Sequence, residues 1–115
     1  MSEELTVTFV TSPTEREAVR LARLLLDSRT CACVNIVSPI RSLYHWQGKV
    51  EENHEALLII KTTSQHLSSL KEMVTQNHPY NVAEIVSVKA SDVNSPYLRW
   101  VIEVTRTPMD SKKGK

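Results

Sequence analysis

Apolar and polar positions alternate from Leu5 to Thr11, with Leu5, Val7 and Phe9 set against Thr6, Thr8 and Val10, and a period of two predicts a first strand. Ser12-Pro13-Thr14-Glu15 then supplies an N-cap, a proline suited to the first helical position and a capping-box glutamate. Val19, Ala22, Leu25 and Leu26 follow at helical spacing, so a helix is expected to about Arg29. Cys31 to Val37 is β-prone, Pro39 interrupts and Arg41 to Trp46 resumes, which reads as one long strand with a kink or bulge. Gln47-Gly48 turns the chain back into a strand from Lys49 to Thr62, polar at first and apolar throughout Ala56-Leu57-Leu58-Ile59-Ile60.

Ser64 is suited to cap a second helix carrying Leu67, Leu70, Met73 and Val74 on one stripe, and Asn77-His78-Pro79 stops it. Glu84 to Ala90 alternates again as a fourth strand. Ser95-Pro96 opens a short helical segment through Trp100 and Val101, with Val101 to Val104 open to either a helical or an extended reading. Residues 1–107 then form one domain, and the polar stretch from Thr107, counted as residues 108–115, is expected to be a disordered C-terminal tail. The order β-α-β-β-α-β with a short C-terminal helix is the α+β, ferredoxin-like sandwich. Two helices cover one face of a four-stranded sheet, yet Leu57 to Ile60 is apolar on both sides, so the uncovered face is expected to meet another subunit.

Composition narrows the function classes. The 115 residues suit one core. Lys+Arg 14 against Asp+Glu 13 gives no basic surface for nucleic acid. No stretch approaches the roughly 18 apolar residues of a membrane span, and Met1-Ser2-Glu3-Glu4 is acidic where a signal peptide begins basic, so a cytoplasmic protein is expected. With Gly48 in the body and Gly114 in the tail as the two glycines, no glycine-rich loop can cradle a nucleotide phosphate, and no organic cofactor is expected. No nucleophile motif or paired catalytic carboxylates stand out, which argues against an enzyme.

The most specific stretch is Ser42-Leu43-Tyr44-His45-Trp46-Gln47-Gly48-Lys49-Val50-Glu51, with Glu55 and Lys61-Thr62 beyond it. It resembles the Tyr-x-Trp-x-Gly-Lys hairpin and Lys-Thr-terminated strand of the CutA family. Ala32-Cys33-Val34-Asn35, His78-Pro79-Tyr80 with Glu84-Ile85, and Tyr97-Leu98-x-Trp100 resemble three further motifs of that family in the same order. The resemblance covers residues 5 to 105 or so and implies a tight homotrimer of PII-like shape, connected with tolerance to copper and other divalent cations. Metal-binding bacterial members are similar in carrying a cysteine at the end of the first strand and a doubled histidine before Pro-Tyr; here those positions hold Val10, Asn77 and His78.

Three groupings carry candidate chemistry. Cys31 and Cys33, two apart on an expected strand, place their thiols on one face about 6 to 7 Å apart, a spacing open to a soft metal or to simple core packing. His78 and Glu84 flank a short loop and offer one nitrogen and one carboxylate to Cu(II) or another divalent cation, with further ligands from a neighbouring subunit. Against this, His78 is equally suited to closing the second helix and Glu84 to pairing with a basic group. The metal candidates are therefore His78, Glu84 and Cys33. Tyr44, Trp46, Lys61 and Tyr80 are expected to line a cleft between subunits, where a small polar ligand could bind or where the aromatics pack the interface. Three roles follow: metal tolerance, sensing of a small ligand, or a trimeric scaffold for another protein.

Overall fold

The computed structural model describes residues 3–106, so the tail beginning at Thr107 lies outside the described residues. Its elements run β1 (Leu5–Ser12), α1 (Glu15–Asp27), β2 (Cys33–Trp46), β3 (Lys49–Thr63), a 3-10 turn (Ser64–His66), α2 (Leu67–Asn77), β4 (Ile85–Lys89) and α3 (Ser95–Val104). The strands form one antiparallel sheet in the order β2-β3-β1-β4. Each β-α-β unit skips one position to let the other unit's strand in, which is the ferredoxin-like arrangement.

The first helix starts two residues later than its proline suggests. Ser12 pairs with Ala56 in the sheet, and Thr14 takes the cap instead, its hydroxyl accepting from Glu17 N at 3.1 Å. Thr14 and Glu17 thus stand at capping-box spacing, and Glu15 and Glu17 place acidic charge at the positive end of the helix dipole. At the other end Thr30 N donates to Leu25 O and Arg29 N to Leu26 O, both at 3.0 Å, the paired bonds of a Schellman close. Arg29 occupies the left-handed position there, with φ 60°, where glycine is the easier residue. Its guanidinium donates to Val104 O at 3.0 Å and fastens the end of α1 to the end of α3.

One face of the sheet packs under α1 and α2. Val10, Ala56, Leu58 and Ile60 meet Ala18, Leu21, Ala22 and Leu25 of α1 and Leu70 and Val74 of α2, all buried. Thr6, Thr8 and Thr62 share that face and are fully buried as well. Their hydroxyls are satisfied: Thr6 bonds Thr62 O at 3.2 Å, Thr62 bonds Thr30 O at 2.8 Å, and Thr8 meets Ser87 at 2.7 Å.

The register places the opposite set of residues on the other face: Val7 and Phe9, Leu57 and Ile59, Val37, Val86 and Val88. This set is apolar yet only half-covered, with Val86 51%, Val88 47% and Val37 46% exposed. The third helix reaches one end of it. Val101 to Val104, open in the sequence, continues α3, and Tyr97 lies near Cys33 on this face.

Beyond the sheet body β2 and β3 continue as a two-stranded arm that stretches the molecule to 55 × 27 × 21 Å. The register shifts between Val37 and Ile40, where Pro39 falls, as expected of a proline in a long strand. Gln47 (φ 50°) and Gly48 (φ 79°) both adopt positive φ, the requirement of a tight two-residue hairpin turn. Leu43, Trp46 and Val50 on this arm are 61%, 53% and 65% exposed. An isolated hairpin with such exposure has little intrinsic stability and calls for a surface to lie on.

Candidate functional site

Two polar clusters interrupt the open apolar face. The first sits at the base of the arm. His78 ends α2 in extended backbone, and its ring is held on both sides: Nε2 meets Thr11 O at 2.6 Å, and Nδ1 accepts from Tyr80 N at 3.0 Å. Because the carbonyl accepts and the amide donates, this network selects the Nε2–H tautomer. The ring stacks on Tyr80 with centroids 4.8 Å apart. Tyr80 in turn donates its hydroxyl to Glu55 Oε2 at 2.8 Å, while Asn53 bonds the Tyr44 hydroxyl alongside. Burial first, then the hydrogen bond to Glu55 and its charge, push the Tyr80 phenol well above its ordinary value of 10.0.

The second cluster sits at the far end of β3. Lys61 lies opposite Cys33 in the register and bonds the Asn35 side-chain oxygen. The Cys33 thiol points to the same Asn35 oxygen at 4.0 Å, and burial, then the neighbouring Cys33, raise the Tyr97 phenol of α3.

The proposed metal residues do not gather in one chain. His78 is anchored at Thr11, level with Leu57, whereas Cys33 is level with Lys61, four residues and about 13 Å along the strand. Both His78 nitrogens are engaged, so the ring closes neither α2 nor a metal shell; the Asn77 side chain bonds Met73 O in the helix's last turn. Glu84 is exposed in the loop before β4 and takes part in no ion pair among the described residues. Val10 is wholly buried under the helices.

The two thiols do not form the same-face pair that their spacing suggests. Cys31 precedes β2 and is buried in the main core, where burial, reinforced by the nearby Cys33, pushes its thiol up to about 12. Cys33 instead faces Tyr97 on the opposite side of the sheet. Nor do Tyr44, Trp46, Lys61 and Tyr80 meet within one chain: Trp46 pairs with Lys49, twelve residues and about 40 Å from Lys61 along β3. Tyr80 and Tyr44 are neighbours at the arm base; Lys61 and Trp46 lie at opposite ends. Glu55, Asn35 and Tyr97, which tie these clusters together, stand in the sequence within the family-like motifs, but nothing there marks them as partners of Tyr80, Lys61 and Cys33.

A family described as CutA1 divalent ion tolerance protein matches residues 6–104. The chain belongs to the CutA1 divalent ion tolerance family. It is 44% identical over 103 residues to Protein CutA of Homo sapiens, an alignment that spans 90% of this chain and 58% of that protein. With the divalent-cation tolerance protein CutA of Thermus thermophilus it shares 44% identity over 99 residues, spanning 86% and 96% of the two. Among solved structures, CutA1 from Oryza sativa superposes with a TM-score of 0.87 at 41% identity, covering 90% of this chain and 94% of that one. The CutA1 description names tolerance and no reaction. A divalent cation is what that description implies, yet among the described residues no three His, Cys, Asp or Glu side chains converge, so a single CutA1 chain of this sequence does not by itself fit a closed metal shell. No helix of the described residues is long and apolar enough to cross a membrane.

Proposed function

We propose that this CutA1 chain works as a PII-like homotrimer in divalent-cation tolerance, binding Cu(II) or another divalent cation weakly through groups from more than one subunit, and that it binds rather than catalyses. The observation that carries the reading is the apolar sheet face left open by α1 and α2, continuous with an arm that exposes Leu43, Trp46 and Val50. A face of this kind is buried in an assembly, and burial of its valines and aromatics supplies the association energy at about 25 cal/mol per Å². Glu84 is the metal candidate with a free side chain; His78 and Cys33 join it only by exchanging their present partners. Two free thiols accord with a reducing, cytoplasmic setting.

A second reading draws on the arm-base cluster. Tyr80, Glu55 and Tyr44 present aromatic bodies with polar tips, which suits a small polar ligand at a subunit junction completed by a neighbour's Trp46 or Lys61.

Light scattering combined with calorimetric titration of metal-free protein by Cu(II) and Zn(II) tests the proposal. A species of about three times 13.1 kDa with saturable binding, weakened by Glu84→Gln, is expected. A monomer retires the assembly, and a trimer that takes up neither ion retires the cation role and moves attention to the arm-base cluster.

A further inference from the structure

Three buried side-chain atoms among the described residues have no hydrogen-bond partner: Glu3 Oε1, Thr63 Oγ1 and His66 Nε2. They fall at one end of the fold, where Ser64 N donates to Glu4 O at 2.9 Å and Leu5 pairs with Thr63. Buried polar atoms are normally satisfied, so orphans gathered in one place point to a shared partner rather than to scattered defects. Beside them lies a depression of about 350 Å³ walled by Glu3, Gln65, His66, Ile102, Thr105 and Arg106. Arg106 is exposed at its rim and forms no ion pair among the described residues.

The lining is specific in its chemistry. A carboxylate oxygen of Glu3 and, in the Nδ1–H tautomer, His66 Nε2 are both acceptors. A primary ammonium brings three N–H donors and a positive charge that suits Glu3, whereas a water brings two donors and no charge. Arg106 is a poor neighbour for a bare metal ion but a bidentate partner for a carboxylate, and Ile102 offers an apolar wall.

We propose that this depression binds a small aliphatic α-amino acid, its ammonium on Glu3 and His66, its carboxylate on Arg106 and its side chain against Ile102. The acceptors are closed to water in the free chain, so entry accompanies a swing of the long rim side chains Gln65 and Arg106. The site lies at the opposite end of β3 from the arm and is independent of the cation reading.

The test is calorimetry on the full chain with glycine, L-alanine and L-valine, using isobutylamine and isobutyrate as probes that each lack one charge. Saturable binding of the amino acids at or below about 10 mM is expected, with each half-molecule at least about tenfold weaker. Arg106→Met, an exposed position, weakens valine at least about tenfold while leaving the melting temperature of the free protein in place, and Glu3→Gln weakens valine at least about tenfold without lowering it. No binding of any amino acid, equal binding of valine and isobutylamine, or full binding by both variants overturns the proposal. Zn(II) alone displacing valine and being lost in Glu3→Gln would also overturn it, making the depression a cation site.

Discussion

The two faces of one sheet solve opposite problems. Under α1 and α2 the sheet buries Thr6, Thr8 and Thr62 among leucines and valines, and those hydroxyls cost little because each has a partner. On the open side Val7, Phe9, Leu57, Ile59, Val86 and Val88 form a more uniformly apolar surface that no element of the chain covers in full. Apolar alternation in β1 therefore marks the face that the helices leave open, while the face already packed is the mixed one. An inside judged by hydrophobicity alone would be placed on the wrong side of β1.

Adjacent residues on the two faces give the largest test of that contrast. Leu58→Ala removes a fully buried side chain from the helix-covered core and is expected to cost about 2 to 5 kcal/mol, read as a lower urea midpoint. Ile59→Asp, one position on and on the open face, is expected to leave a folded chain but to reduce the mass in light scattering to one subunit. If Ile59→Asp leaves the mass unchanged, the open face is not an association surface.

A smaller effect separates the faces by pH. Cys31 lies on the helix-covered side with its thiol raised from 9.0 to about 12. The folded chain there holds its proton more tightly than the unfolded chain, so this contribution is intact below about pH 9 and declines as pH rises toward about 12. Cys31→Ala is expected to flatten the fall in stability over that interval, while Cys33→Ala, which removes only the lesser contributor to the Cys31 shift, flattens it less; equal slopes in all three proteins would break the distinction. The smallest effect is local: Thr14→Ala removes the cap of α1 and is expected to cost about 1 kcal/mol in thermal or urea unfolding, whereas Ser12→Ala leaves the cap in place.

The existence and order of the elements were legible because periodicity and capping residues act over a few neighbours. Pro39 marked the register shift, and Gln47-Gly48 marked the hairpin turn. The α1 cap lies two residues beyond the one the sequence suggests because Ser12, Pro13 and Thr14 all suit a helix start, and a sheet partner for Ser12 decides among them. The candidate site was less legible. In the sequence His78 stands as an available ligand, whereas in the fold its ring is bonded to Thr11 and Tyr80, the first of these 67 positions away along the chain. A strand expected from Cys31 makes Cys31 and Cys33 a same-face pair, whereas the strand begins at Cys33.

By itself the sequence determined the α+β class, the two β-α-β halves, the long hairpin and the family motifs, all of which rest on local spacing and side-chain type. Only the tertiary structure decided which face of each strand lies inside, that α3 crosses to the open side, and that Tyr80 belongs with Glu55 and Lys61 with Asn35. The physical reason is distance along the chain. A side chain's neighbours across a sheet are set by register and by the packing of whole helices, and nothing within a few residues of Glu55 or Tyr97 specifies the partner that each one meets.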